Sequence, residues 1–497
     1  MSLNPFFDTF MQQFPHEGLT FDDISLLTQY ADFLPEDTDI GTRLTMRIDA
    51  KMPFMSAAMD TVTEAGMATA MALLGGIGII HKNLTVKEQA RQVAVVKHHL
   101  HGLIRDPITF RDHESVTDVL RRKREKGYSF SGFPVLDDDD ALVGILTSSD
   151  LKFCADEHTR VAALMTRDVI TAPPDTSVEE AYRIMMDRKI GKLPLVQGGK
   201  LTGLYSFSDV SSLVRNVQPL YNRDAKFRLR AGAAVGPADY ERVEALASEE
   251  IDVAVVDSAH GHSQGILDMI RWIAKHYPDI DIIGGNVGTA EGALAIRDAG
   301  AHAVKVGIGP GSICTTRVVC GVGIPQITAV YEASRALADS VPVIADGGIR
   351  HSGDVPKALA AGAESVMLGS ILAGTEESPG EKIIHQGRQY VMYRGMGSLG
   401  AMQTARGSRE RYGQADVDNS DDLVPQGIEG MVPYAGNVQK VMTQFSGGLR
   451  ASLGYCGCRD VPTLRARGQV VRVSLAGLHE AHPHDVRVMK EAPNYRT

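Results

Sequence analysis

Two kinds of segment alternate along this chain. Short, unbroken apolar runs that close on small or polar residues are separated by longer stretches of helix formers with polar residues at regular intervals. Residues 55–58 and 77–81 flank TEAGMATAMALLGG, a pattern that predicts strand, helix, strand. The pattern stops at about residue 92 and resumes near 230, where AGAAVG, VAVVDSAH, DIIGGNV, AVKVGIG, VPVIADGG and SVMLGS follow in turn, with segments such as DYERVEALASEE and TAEGALAIRDAG between them. Unbroken apolar runs mark strands buried on both faces. Eight of them alternating with helices predict an α/β fold, a (β/α)8 TIM barrel written in two pieces, residues 1–92 and 230–497. The working face of such a barrel is built where its strands end, so His81, Asp257, Asn286, Gly307, Asp346, Gly369 and Ser370 are expected to converge.

The interruption, residues 93–229, contains an internal repeat. GFPVLDDDDALVGILTSSDL at 132–151 is echoed by GKLPLVQGGKLTGLYSFSDV at 191–210, and each follows a helix-like segment, 115–126 and 177–188. One unit of about 104–156 is used again at about 165–216. Asp150 and Asp209 close the two copies; each suits a helix cap and each suits a ligand hydroxyl. The acidic run 137–140 reads as a solvated hairpin turn. Residues 390–434 are glycine-rich, polar and too long for an ordinary connection, as expected of a flap.

Composition narrows the class. Of 497 residues, 43% are hydrophobic and 23% charged, enough apolar surface for a large core, and the net charge of −10 argues against general nucleic-acid binding. No apolar run reaches the ~18 residues that a membrane span needs, and the N-terminus lacks a leader pattern, so the expected location is cytoplasmic. Five scattered cysteines fit free thiols in a reducing compartment. The Cys456/Cys458 pair and the tail histidines His479, His482 and His484 read either as metal ligands or, for the pair, as a buried turn.

The densest chemistry lies in VGIGPGSICTTRVVCGVGIPQ, residues 306–326. Glycines 307, 309 and 311 allow sharp turns and close approach of backbone N–H groups to an anion. Cys314 follows, then Thr315, Thr316 and Arg317, so the thiol reads as a nucleophile in an electropositive pocket or, more plainly, as a small buried hydrophobe.

GPGSICTTR followed by GVGIPQ closely resembles the catalytic loop of the inosine monophosphate dehydrogenase and guanosine monophosphate reductase superfamily, and the likeness extends over nearly the whole chain, through VPQGIEG and the HPHDV tail. The repeat resembles a tandem pair of cystathionine-β-synthase-type (CBS) domains, whose paired copies bind adenine or guanine nucleotides; Asp150 and Asp209 match the ribose-contacting aspartates. The resemblance implies that Cys314 attacks C2 of IMP, that NAD takes the hydride, and that Arg411 and Tyr412, a pair found in the dehydrogenase branch, activate water for hydrolysis with Thr316 assisting. It assigns the nucleotide to Ser312, Asp346, Gly347, Gly348, Gly369, Ser370, the turn Tyr393, Arg394, Gly395, Met396 and Gly397, and Gln426. It assigns the dinucleotide to Asp257, Asn286, Gly307, Ile308 and Gly309. Potassium (K+) would sit on carbonyls of Gly309, Gly311 and Cys314, with Glu480, Ala481 and His482 from a neighbouring copy in a homotetramer, which two CBS modules could pair into an octamer. Gln426 stands where many bacterial members have glutamate, Gly413 replaces a bulkier residue, and Cys320 replaces a smaller one. The alternatives are a GMP reductase carrying the insert and a nucleotide sensor on an inactive barrel.

Overall fold

The computed structural model describes all residues except 1–3, 14–16, 100–102, 105–106, 126–131, 155, 157, 215–219, 227, 405, 418, 490–491 and 496–497. Lys126, where the first repeat's helix is expected to end, lies outside the described residues; the helix itself is Val116–Glu125.

Eight parallel strands close a barrel: β1 (Phe54–Ser56), β2 (Ile77–Ile80), β3 (Gly232–Val235), β4 (Val253–Asp257), β5 (Asp281–Val287), β6 (Ala303–Val306), β7 (Val343–Asp346) and β8 (Ser365–Leu368). They are the eight apolar runs. Alternation within each run sorts side chains into two layers. Val253 and Val255 point into the barrel with Met55, Ile79, Ile283 and Ile344, while Ala254 and Val256 face the helices. The hairpin Thr42–Arg43/Asp49–Ala50 belongs to the same interior, since Leu44, Ile48 and Ala50 pack into the inner layer. The two pieces of the barrel meet at two seams, β2 with β3 (Ile79 against Gly232, Ile80 against Ala233) and β8 with β1 (Met367 against Met55).

The chain forms two compact units, one of residues 1–97, 220–224 and 229–497 and the other of 98–219 and 225–228. In the barrel unit the chain leaves at Lys97 and returns through 220–224, and a single buried ammonium ties both points to the start of β4. Lys97 is fully buried, with Nζ 2.8 Å from Asp224 and 2.7 Å from Asp252. Asp252 also accepts the Ala231 N–H at 2.8 Å. Burial pushes the Asp252 carboxyl above its ordinary value, against the pull of Lys97.

In the inserted unit the repeat is visible in the register. The hairpins Gly132–Leu136/Leu142–Thr147 and Lys192–Gln197/Lys200–Ser206 each carry an irregularity at the same place in the pattern, between Val135 and Leu136 and between Leu195 and Val196. Each copy has its own core, around Phe110, Phe133 and Leu146 in one and Leu193, Leu195 and Tyr205 in the other. The acidic run forms the exposed turn between the first pair of strands, with Asp137 Oδ1 accepting the N–H groups of Asp139 and Ala141.

Removing one partner from a buried ion network leaves the others uncompensated, a loss of about 3–5 kcal/mol. Lys97→Met is therefore expected to lower stability to chemical denaturation by that amount. Without the lysine, the Asp252 carboxyl would stand further above its value in the unfolded chain, so the deficit should shrink as pH falls and widen as pH rises. Equal denaturation midpoints for the two proteins across that range would show that the triad contributes nothing.

Candidate active site

The loop after β6 is shaped by its glycines and braced by one arginine. Gly309 and Gly323 have φ of +75° and +157°, and a Cβ at either would lie within 2.7 Å of the Arg317 side chain. Arg317 is threaded between them and donates to the carbonyls of Ile308 and Ile324, which pins both ends of the loop. The expected cation thus spends its hydrogen bonds on backbone carbonyls and acts on the Cys314 thiol through its charge alone. The half-buried Cys314 instead donates its S–H to Thr316 Oγ1 at 3.1 Å, and Thr316 donates to Gln426 Oε1 at 3.1 Å.

Beside the thiol, the ends of β4 to β7 present a charged floor. An irregular register in β5, where Gly285 pairs with Lys305 and Val287 with Val306, leaves Asn286 unmatched on β6. Asn286 Nδ2 donates to Gly307 O and to Asp346 Oδ2, both at 2.9 Å. Lys305, from β6, is 1% exposed. Its Nζ lies 3.0 Å from Asp257 Oδ1 and 2.7 Å from Asp346 Oδ2 and also donates to Asn286 Oδ1. Gly347 and Gly348 follow with φ of +90° and +84°, turning the chain beneath Pro310.

At the other end of the cavity lie Ser312, Gly369 and Ser370. Ser370 begins the short helix Ser370–Ala373, so unpaired backbone N–H groups lie at this end. Tyr393 reaches across: its hydroxyl bonds Ser312, and a Cβ on Gly369 would lie 3.1 Å from it. Burial raises the Tyr393 phenol well above its ordinary value and keeps it neutral.

The 390–434 region carries more structure than a loose flap would. Strands Arg388–Arg394 and Glu429–Pro433 form a three-stranded antiparallel sheet with Lys382–His385, and helices Leu399–Thr404 and Arg406–Arg411 lie between them. Backbone bonds stitch the region to the catalytic loop: Thr315 N to Gln426 O at 3.0 Å, Ile428 N to Ile313 O at 3.0 Å, and Gln426 N to Gly397 O at 2.9 Å. Arg411 forms an ion pair with Asp257 Oδ2, and its carbonyl accepts the Ala259 N–H at 3.1 Å. The half-buried Tyr412 is hydrogen-bonded to Arg411, and desolvation raises its phenol. A Cβ on Gly397 would lie 2.6 Å from the Tyr412 ring.

One cavity thus gathers Cys314, Thr316, Gln426, Arg411 and Tyr412 with the expected nucleotide residues Ser312, Asp346 to Gly348, Gly369, Ser370, Tyr393, Gly395 and Met396. Asp257, Asn286, Gly307, Ile308, Gly309 and Gly311 line it too. Other residues are elsewhere. Arg394 turns away to Asp60, with Nη2 2.7 Å from Oδ2, and Gly397 backs the Tyr412 ring from outside the lining. His81 is buried against Glu64 at 3.5 Å, and its Nδ1 accepts the Asn83 N–H. Glu480 and Ala481 end the helix Leu475–Ala481, and His482 Nδ1 lies 2.8 Å from the Tyr495 hydroxyl. In the inserted unit Asp150 closes a capping box with Thr147, accepting its N–H and hydroxyl at 2.7 Å, whereas Asp209 accepts from Ser208 at 3.2 Å. Lys305 was missed in the sequence reading, although a lysine inside the apolar run AVKV was the available signal.

Among the described residues no helix is long and apolar enough to cross a membrane. The family model described as IMP dehydrogenase / GMP reductase domain matches residues 18–484. Inosine-5'-monophosphate dehydrogenase of Halalkalibacterium halodurans is 50% identical over 488 residues, 97% of this chain and 99% of the relative. The enzyme of that name from Aquifex aeolicus is 50% identical over 486 residues, 96% and 98% of the two chains. A crystal structure of a cysteine-to-alanine variant of GMP reductase from Trypanosoma brucei, in complex with guanosine 5'-monophosphate, superposes with a TM-score of 0.85 at 37% identity, covering 95% of this chain and 98% of that one. With its closed eight-stranded barrel and a family match spanning nearly its full length, the chain belongs to the IMP dehydrogenase / GMP reductase family.

Proposed function

We propose that this protein oxidises IMP to xanthosine monophosphate with NAD, through a covalent intermediate on Cys314. Overall extent does not choose between the two branches, because the Trypanosoma brucei GMP reductase is covered over 98% of its length. The observation that carries the reading is the docked pair Arg411–Tyr412 beside Asp257 in the cavity of Cys314. Only a reaction that ends in hydrolysis needs such a pair. The relatives at 50% identity, named inosine-5'-monophosphate dehydrogenase, support the same choice.

The chain's residues divide the work. Ser312, Gly369, Ser370 and Tyr393 hold the 5'-phosphate through hydroxyls and helix N–H groups. Asp346 accepts the ribose hydroxyls, and its glycine neighbours admit the sugar closely. The purine C2 then faces Cys314, whose thiolate adds to it. NAD, when bound, supplies a nicotinamide that accepts the hydride leaving C2. The residues fit such a cofactor: Asp257 and Asn286 offer polar groups in the same cavity as the thiol, with Asn286 bonded to Gly307 of the glycine loop. Arg411 occupies Asp257 in the docked flap, so the flap must lift for the cofactor to enter and can return once it leaves. Arg411 and Tyr412 then orient a water whose oxygen bonds to C2 while the C–S bond breaks, and the departing Cys314 thiolate takes up the released proton. The relay from Cys314 through Thr316 ends on the amide of Gln426, which has no site to accept a proton. That relay orients the thiol and does not deprotonate it.

Potassium on the carbonyls of Gly309, Gly311 and Cys314 suits a donor set made of backbone oxygens. Glu480, Ala481 and His482 of a neighbouring copy would complete it in a homotetramer. In the inserted unit we assign a regulatory adenine or guanine nucleotide to Asp209 and Asp150. Each aspartate has one oxygen engaged, but Asp150 accepts two bonds at 2.7 Å in its capping box and Asp209 one at 3.2 Å, so a ribose would displace less at Asp209.

Turnover with IMP and NAD, and none with GMP and NADPH, is the expected result, and the reverse pattern would assign the chain to the reductase branch. Cys314→Ser should lower turnover by about 10³-fold or more while IMP binding persists, as calorimetry reads it.

Arg411→Ala should slow hydrolysis by roughly 10²- to 10⁴-fold and spare hydride transfer, giving a burst of NADH before a slow steady rate. Gly397→Ala should give a milder version of the same burst. Its methyl group would overpack Tyr412 at a cost of roughly 1–3 kcal/mol. A hydride step slowed as much as hydrolysis would remove the flap from the hydrolytic role.

Calorimetric titration of the full chain with ATP and with GTP tests the regulatory assignment. Binding weakened by Asp209→Ala more than by Asp150→Ala is expected; equal loss would place the two aspartates on the same footing.

A further inference from the structure

We propose that Lys305 is a positioning residue that couples the nucleotide subsite at Asp346 to the cofactor and flap subsite at Asp257, sharing one buried ammonium between them. The inference rests on the functional reading above and concerns how its two subsites communicate. An ammonium has three donors, and here all three are used: on Asp257 Oδ1 at 3.0 Å, on Asp346 Oδ2 at 2.7 Å, and on Asn286 Oδ1. At 1% exposure Lys305 has no access to bulk water, so its charge is divided among these acceptors.

Each carboxylate thereby keeps one oxygen for function. Asp257 Oδ2 faces Arg411, and Asp346 keeps Oδ1 clear of both Lys305 and Asn286. Asp257 is 2% exposed and would be an uncompensated buried charge whenever the flap lifts, were it not for Lys305. The lysine therefore leaves Asp257 with a counter-ion in both flap positions and lowers the cost of opening. It also makes the two subsites compete for one cation: a ribose hydroxyl donated to Asp346 relieves that carboxylate and leaves more of the ammonium's field for Asp257, weakening the hold of Asp257 on Arg411.

Lys305→Met should therefore bias the flap toward its docked position, because Arg411 becomes the remaining counter-ion of Asp257. Two readouts and a rescue follow. Hydrogen exchange of residues 406–412 should slow in protein without ligands. The KM for NAD should rise by at least about tenfold, with a smaller change in the hydrolytic rate constant from single-turnover experiments. Lys305→Arg, which keeps the charge, should restore part of both effects. Faster exchange in Lys305→Met, or equal losses in the KM for NAD and the hydrolytic rate constant, would overturn the proposal and leave Lys305 a structural residue.

If Lys305→Met does not fold, a double-mutant cycle of Asp346→Asn and Arg411→Lys, with Lys305 intact, decides the matter. Coupling predicts that the effect of Asp346→Asn on the NADH burst differs at least about threefold according to whether Arg411 is intact or replaced, and purely multiplicative effects overturn it. A wild-type protein inactive with IMP and NAD, whose flap exchange still responds to Lys305→Met, would remove the functional reading and keep the coupling.

Discussion

A buried carboxylate must have a cation, and at the mouth of this barrel that requirement organises the site. Asp257 and Asp346 end β4 and β7, and Lys305 stands on β6 between Asn286 and the catalytic loop. The lysine neutralises what the two aspartates would otherwise cost, so polar groups can be presented to a ligand from the floor of an apolar barrel. Asn286, lifted out of register on β5, completes the arrangement by donating to Asp346 and to the carbonyl that begins the loop. The position of Cys314 thus follows from strands that carry none of the reacting atoms.

Backbone pairing, not side-chain chemistry, holds the flap against that loop. Residues 426–428 bond to 313, 315, 395 and 397, which places the Gln426 side chain on Thr316 and brings Thr316 to the thiol. Arg411 and Tyr412 come from a different stretch of the flap and are held by an ion pair and by packing on Gly397. The two halves of the flap therefore differ in how they can be released. The strand half is tied by several backbone hydrogen bonds, while the helical half is held by two ion pairs, Arg411–Asp257 and Lys82–Glu410, and one backbone bond from Ala259 to Arg411, and a polar ligand at Asp257 can replace the first of these.

The same charge logic recurs at Lys97, where the barrel unit must accept an interruption of its chain. Its ammonium ties the point of departure and the point of return to Asp252. The two barrel pieces then pair as β2 and β3 just as neighbouring strands do elsewhere. The inserted unit builds separate cores for its two copies and repeats an irregularity at matching positions, as expected of one unit used twice.

Much of this was legible in the residue order. Apolar runs buried on both faces have no helical period to confuse them, so all eight barrel strands were legible, and the fold places their ends on one face. The loop at 306–326 announced itself because glycine, thiol and hydroxyl chemistry lies contiguous there. What the sequence could not decide was which way long side chains turn and which distant groups meet. Arg317 and Arg394 read as cations for the site, yet one braces backbone carbonyls and the other pairs with Asp60. His81 ends its strand at the right height but is held against Glu64. Lys305 passed unnoticed inside an apolar strand, because its three partners lie on three other strands. The ion pair of Arg411 with Asp257 joins residues far apart in the chain. Strand periodicity is a local property that backbone sterics impose residue by residue; the pairing of buried charges depends on which strands the closed barrel sets side by side, and tertiary structure alone decides that.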